Sequence, residues 1–370
     1  MLSPLNSLQH VQMSLLSRRW KAFCKSVPNI IFDHENFLEN ISHFYSSNFL
    51  SSVLRFGNFI SDFLKNREHA VDIDTFIFKC NMYDYIIPTP ISSIFYQAIS
   101  YAIDHNTKNL HFYLHREDSY VKKPPCLFNS QSLEEAYLSI FDRNGKFVIS
   151  PRVVNLPNLR KIHFTHISIN KKNMLKFLEG TPILKFLILE KCVLRMNSIH
   201  FEKLESLSLD SCTFRTKNED ISFSISAPKL LFLSIDGDIP NILIFSNIPN
   251  LQTASIMSRQ YSHACNFLNM VSHVSILEIC FHYGLRNSIN NTPNHPTFHN
   301  LKVLTFKYNC ILCRLIRICN FLVHCPNLEE LVLYHGNCTQ DHVSYLSSFL
   351  CYYNYNFYLN FFNIKKTSII

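Results

Sequence analysis

The sequence predicts an α/β solenoid: a curved parallel sheet with one strand per repeat. Three observations predict it. A half-repeat of the form L-x-x-L-x-L recurs nine times, its recurrences lie 20 to 27 residues apart, and Pro often stands two residues before the first Leu. A repeat of about 20–29 residues with this signature is that of a leucine-rich repeat. The strands of a β-sandwich would recur about every 8–12 residues, half the spacing seen.

The copies begin at Leu133, Leu159, Leu184, Leu204, Leu230, Leu251, Val274, Leu301 and Leu328, with spacings of 26, 25, 20, 26, 21, 23, 27 and 27. A possible earlier copy is Thr107-Leu110-Phe112. In each, alternate strand residues point inward, and the chain returns on the convex side as a helix or turn. One unit cannot bury its own apolar face, so units stack and share a core. Pro157, Pro182, Pro228, Pro249 and Pro326 end the convex segments without removing a strand donor. Cys192 and Cys212 follow their strands as L-x-L-x-x-C, where the repeat consensus has Asn or Cys.

Upstream, Ile91, Ile94, Phe95, Ala98, Ile99 and Ala102 share one helical face, and residues 71–78 alternate as a strand. Together they read as an atypical capping repeat, which the solenoid end requires. Residues 5–23 carry Leu5, Leu8, Val11, Leu15, Leu16, Trp20 and Phe23 at helical intervals; by periodicity alone this is an amphipathic cap. Its cations (Arg18, Arg19, Lys21, Lys25), with no acid until Asp33, also suit a mitochondrial presequence.

The wording of this segment points further. Leu2-Ser3-Pro4-Leu5, Val11, Ser14-Leu15-Leu16-Ser17-Arg18-Arg19-Trp20 and Ser26-Val27-Pro28-Asn29 resemble the second half of a plant F-box. His324-Cys325-Pro326-Asn327-Leu328-Glu329-Glu330-Leu331 is similar to the C-P-N-L-E-x-L turn of F-box leucine-rich-repeat proteins. The resemblance implies a two-ended adaptor without catalysis. The helical F-box, through Leu5, Val11, Leu15, Leu16 and Trp20, docks on the Skp-type adaptor of a cullin ubiquitin ligase, and the repeats hold a protein substrate. The family's first F-box helix would precede Leu2, so ligase binding is expected to be weakened. The organisation expected is a partial F-box at 1–30, a helical linker and capping repeat at 31–106, leucine-rich repeats at 107–340, and an Asn- and aromatic-rich tail at 341–370 with no assigned structure. The alternative is a free-standing repeat scaffold or decoy that no longer engages the ligase.

Composition sets the excluded classes. Of 370 residues, 47% are hydrophobic and 17% charged, which excludes a mainly disordered chain. Six glycines form neither a Walker nor a Rossmann loop. The net charge of +8 is spread out rather than gathered in a basic run, so no nucleic-acid partner is expected. Residues 343–364 are uncharged but hold several Asn and Ser, so no membrane partner is expected. Without a secretory signal, the 13 cysteines read as reduced core thiols of a cytoplasmic or nuclear protein. The sequons at Asn40, Asn290 and Asn337 are then chance matches. Cys310, Cys313, Cys319 and Cys325 have metal-like spacing, but they flank a helical stretch and read as core. No nucleophile-base motif stands out among the 18 histidines, and no cofactor or enzymatic activity is expected.

The strand positions between the inward ones face the concave side. They include Lys161, His163, Phe186, Ile188, Glu190, Asp210, Phe232, Asp236, Glu278, Lys307, Glu330 and Tyr334. Acids outnumber Lys and Arg there by five to two, which suits a protein ligand with a basic segment and not a phosphate backbone.

Overall fold

The computed structural model describes residues 5–39, 49–68, 70–81, 89–115, 125–141, 151–215, 223–237, 243–258, 267–281, 296–308, 318, 321–335 and 366–369. The chain forms two compact units, Met1–Arg195 and Met196–Ile370.

In the first unit a parallel sheet runs in chain order through β1 (Asn29–Asp33), β2 (Thr75–Asn81), β3 (Asn109–His115), β4 (Glu135–Phe141) and β5 (Lys161–Thr165). After the short β6 (Ser168–Asn170), β7 (Phe186–Glu190) extends that sheet, while β8 (Val193–Arg195) pairs with β6. Its helices are α1 (Ser7–Ser14), α2 (Arg18–Lys25), α3 (His34–Glu39), α4 (Phe49–Asn66), α5 (Thr89–Asp104) and α6 (Lys171–Glu179).

The second unit has the same plan. Its strands are β9 (Ser198–His200), β10 (Ser206–Asp210), β11 (Thr213–Phe214), β12 (Phe223–Ser226), β13 (Phe232–Asp236), β14 (Leu243–Ser246), β15 (Thr253–Ser258), β16 (Ile276–Phe281), β17 (Val303–Tyr308), β18 (Glu330–His335) and β19 (Lys366–Ile369). The main parallel sheet runs β10-β13-β15-β16-β17-β18-β19, and β9, β12 and β14 form a second, smaller one. This is a leucine-rich-repeat fold. β19 places one strand inside the tail for which the sequence offered no assignment.

The pattern L-x-x-L-x-L produces this because parallel strands pair in register. Leu207, Leu233, Ala254, Leu277, Leu304 and Leu331 stand in one inward column, and Leu209, Ile235, Ile256, Ile279, Phe306 and Leu333 in the next. From Leu110 to Leu333 no inward strand residue of the repeat pattern is more than 5% exposed. Burying each Leu, Ile or Phe among them contributes about 1.5–3 kcal/mol.

The segment before the first Leu is a β-turn. The N–H of Leu159 donates to the Leu156 carbonyl across Pro157 and Asn158, and Leu184, Leu230, Leu251 and Leu328 repeat the bond. Pro falls at the second turn position, where its fixed φ fits and no N–H is needed. Asn at the third position links neighbouring repeats. Asn158 Nδ2 donates to the Gln131 carbonyl (2.6 Å), Asn250 to Pro228 (2.7 Å) and Asn327 to His299 (2.8 Å).

The repeat spacing begins earlier than the leucines indicate. Val27-Ile30-Phe32 and Ile73-Phe76-Phe78 keep the same intervals and are buried; the last two of each lie in β1 and β2, and Val27 and Ile73 just before them. β1 is thus a repeat strand upstream of the one expected in the capping repeat. The strand expected from Val71 starts instead at Thr75, because the carbonyls of Val71 and Asp72 accept hydrogen bonds from the buried Arg67 guanidinium (2.8 and 3.2 Å). The helix expected around Ile91–Ala102 is α5. Phe is abundant here: Phe32 packs edge-on against Phe59, Phe63 and Phe76, and Phe56 packs at a tilt against Phe37.

Helices α1 and α2 close the first edge of the sheet. The buried Ser7 hydroxyl accepts the Ile31 N–H of β1 at 3.0 Å, and the Cys24 thiol donates to the His10 carbonyl at 3.0 Å. An otherwise open strand edge is thus covered, as edges require. Asn6 and Gln9 form a capping box on α1, and Ser17 caps α2 by accepting from the Trp20 N–H.

Two predictions follow from this packing. Gly180, which ends α6, leaves no room for a side chain: a Cβ there would meet the Val154 carbonyl oxygen, carbonyl carbon and Cβ at 2.3, 2.6 and 2.6 Å. Gly180→Ala should lower stability by about 1–3 kcal/mol, seen as a lower urea midpoint at unchanged slope. Burial also lowers the pKa of His10 and of His34, the latter lodged against Phe56. A histidine held neutral in the fold binds fewer protons than in the unfolded chain. Stability should therefore be full above about pH 6.5, fall as the pH drops below it, and level off beneath the lowered values. Denaturant midpoints from pH 7.5 to 5 should show this fall, and His34→Leu should make it shallower.

Candidate functional site

Alternation along the strands places three rows of side chains on the sheet face opposite the core. In the first unit the middle row, across β1 to β7, is Ile31, Ile77, His111, Tyr137, His163 and Ile188. The row beside it is Asp33, Lys79, Tyr113, Ser139, Thr165 and Glu190.

These rows join into one half-buried cluster. Tyr113 and Tyr137 stack with centroids 4.3 Å apart, His111 lies nearly parallel to Tyr137 at 6.0 Å, and His163 meets Tyr137 edge-on at 4.2 Å. Lys79 lies over the Tyr113 ring at 5.6 Å and 3.7 Å from Asp33. At the other end His163 Nε2 is 3.2 Å from Glu190 Oε2 and 3.3 Å from the Thr165 hydroxyl, which donates to Tyr137 Oη at 3.2 Å. Burial pushes the Tyr113 phenol up to about 12, with Tyr137 beside it adding to the effect, and burial also lowers the pKa of His111. The cluster therefore carries neutral aromatic rings at its centre, with charge only at its ends.

Thr165, His163 and Glu190 do not form a catalytic relay. Hydroxyl and carboxylate both approach Nε2, whereas a relay needs the acid on one ring nitrogen and the nucleophile on the other. The arrangement suits contact: rigid Tyr and His rings with polar edges are what protein interfaces concentrate.

Of the residues singled out from the sequence, His163 and Glu190 belong to this cluster, and Lys161 lies in the third row, 3.3 Å from Glu135. In the second unit Asp210 and Asp236 are register partners, and the Ser211 hydroxyl donates to Asp210 at 2.7 Å. Glu278 accepts from Ser255 at 3.0 Å and pairs with Lys307 at 2.7 Å. Phe232 and Ile276 are exposed on this face, and Glu330 is half-buried. Tyr334 stands in register with Lys307, its side chain lying outside the described residues. The acids are less available than their number implied, since Glu190 has Lys191 and His163 beside it and Glu278 has Lys307.

His111, Tyr113 and Tyr137 were missed because they sit in the weakest copies, Thr107-Leu110-Phe112 and Leu133-Ala136-Leu138. Counting alternate residues in those copies would have found all three.

At the N-terminus Leu15 (82% exposed) and Leu16 (72%) occupy the turn between α1 and α2. Val11 and Phe23 are exposed too, whereas Leu5 and Trp20 are half-buried, Trp20 edge-on to Phe23 at 5.7 Å.

Among the described residues no group of three His, Cys, Asp or Glu could hold a metal, and no helix is long and apolar enough to cross a membrane. Cys310, Cys313 and Cys319 lie outside the described residues, as do Asn40, Asn290, Asn337 and residues 343–364. Cys325 is a core thiol, pushed up to about 12 by burial and donating to the Phe321 carbonyl. Cys192 is pushed up equally and donates to the Phe164 carbonyl.

Comparison with known proteins agrees with the repeat. Residues 97–239 match the family model described as the LRR repeats of FBD-associated F-box protein At5g56370. The chain is 26% identical to the Arabidopsis thaliana F-box/FBD/LRR-repeat protein At5g22660, over 94% of this chain and 77% of that one. It is 23% identical to F-box/FBD/LRR-repeat protein At1g78750 (88% and 72%) and 24% identical to F-box/LRR-repeat protein 13 (87% and 71%), both of Arabidopsis thaliana. No solved structure is significantly similar.

The His163–Glu190 contact is partly solvated and should be worth no more than about 1 kcal/mol. A double-mutant cycle of His163→Gln and Glu190→Gln, read by denaturant unfolding at pH 7, should return a coupling of that size.

Proposed function

We propose, from the premise that this chain belongs to the plant F-box/leucine-rich-repeat family, that it is the substrate-recognition adaptor of a Skp–cullin–F-box ubiquitin ligase. Relatives are named for F-box and repeats together, and adaptors of this type bring two proteins together rather than transform a small molecule. In this reading the chain works in the cytoplasm or nucleus, docks through α1 and α2 on the Skp-type linker, and holds a protein substrate on the outer face of its sheet. It performs no chemistry; it raises the effective concentration of the substrate's lysines at the charged E2 enzyme.

The observation that supports this best is the division of labour within α1 and α2. Ser7, His10 and Cys24 are buried, Ser7 on the edge of β1, while Leu15, Leu16, Val11 and Phe23 remain bare. A cap that served only the repeats would have no use for two leucines more than 70% exposed. For the substrate, the Tyr113–Tyr137–His163 cluster supplies rigid rings of the kind that anchor protein contacts.

The test is capture of a purified plant Skp-type linker by the tagged full chain. Wild type should bind, and Leu15→Asp/Leu16→Asp should weaken binding by at least about 100-fold with an unchanged thermal midpoint. Failure of the wild type to bind would leave the free-standing scaffold as the better description, and equal capture by the double variant would move the interface elsewhere.

A further inference from the structure

We propose that the groove receiving α1 and α2 is acidic around an apolar floor, and that this chain finds it by electrostatic steering. The inference rests on the ligase reading and names the chemistry of that partner surface. Arg18, Arg19, Lys21 and Lys25 are four of the eight residues of α2, and all four are exposed. α1 and α2 carry no acid. Glu68, whose N–H donates to the Lys25 carbonyl, is an acid set against the end of α2, yet among the described residues none of the four cations forms an ion pair.

Their placement works against the helix itself. Arg18 and Arg19 open α2, where the exposed N–H groups already carry partial positive charge and an acid would be favoured. Ser17 caps one N–H of this end, but among the described residues no acid pairs with the two arginines, and an incoming carboxylate surface would. The same turn holds Leu15 and Leu16, so apolar anchor and cationic rim lie side by side. An apolar centre with a charged rim is the layout of protein interfaces, in which rim charges govern the rate of encounter. An anionic bilayer would also attract these cations, but α2 spans only about 12 Å. Moreover, the Ser7 hydroxyl ties α1 to β1 and the Cys24 thiol ties α2 to the His10 carbonyl of α1, so the pair is held on the sheet edge and presents no long apolar face to lie in a membrane.

The experiment measures association of the full chain with the purified Skp-type linker by stopped flow between about 20 and 500 mM salt. The on-rate should fall by at least about 10-fold across that range. Arg18→Glu/Arg19→Glu should slow association about 10-fold or more at low salt, flatten the salt dependence, and leave the off-rate within about 3-fold. Arg18→Lys/Arg19→Lys should restore the wild-type rate, which separates charge from folding. Binding whose rate ignores salt would overturn the acidic groove and leave the adaptor reading intact, whereas no binding by the wild type would overturn both. Capture by phosphatidylserine vesicles in place of the linker would overturn the protein partner.

Discussion

In-register stacking of inward side chains is the constraint on which the rest depends. A parallel strand set exposes alternate residues to opposite faces, so a column such as Leu207-Leu233-Ala254-Leu277-Leu304-Leu331 is dry only if every strand keeps the same phase. A slip of one residue in any strand would carry its leucines to the solvent face and its Ser, Asp or Tyr into the core. The Pro turn before five of the strands (β5, β7, β13, β15 and β18) enforces that phase. Pro sets φ, the Leu N–H closes the turn, and Asn158, Asn250 and Asn327 each bond to the preceding repeat.

Register has a consequence for function, because it sorts the outward residues into rows as strictly as the inward ones. His111, Tyr137 and His163 are many residues apart in the chain and one strand apart in space. A continuous row of side chains is thereby built on a rigid support. Its rings are oriented by their neighbours, Tyr137 between Tyr113 and His163, with the Thr165 hydroxyl holding its phenol. Little rotamer freedom is left in these side chains.

The sheet also creates the problem that the N-terminal helices solve. A solenoid end exposes core and an unpaired strand edge. Ser7 meets the edge through the Ile31 N–H, and the Phe32, Phe56, Phe59 and Phe63 rings fill the end of the core where leucines alone would leave gaps. The helix pair thus covers the strand edge with its inner face and leaves Val11, Leu15, Leu16 and Phe23 exposed on its outer one.

How much of this was legible in the residues depends on how local the cause is. The repeat length, the phase of the strands, the turn before each and the side on which Glu190 or Asp210 lies all follow from intervals of two, three or five residues, and these the amino-acid sequence determined. It also determined the N-terminal helices, through their periodicity and the S-L-L-S-R-R-W run. It did not disclose that β1 is a repeat strand, because Val27, Ile30 and Phe32 replace Leu and a long helical insertion separates it from β2. Nor could it show which acids are already paired, since Glu190 with His163 and Glu278 with Lys307 meet across strands, not along one. The aromatic cluster and the burial of Ser7, His10 and Cys24 were likewise decided only in three dimensions. Local spacing dictates which way a side chain points, but what it meets there depends on residues brought alongside by the stacking of distant repeats.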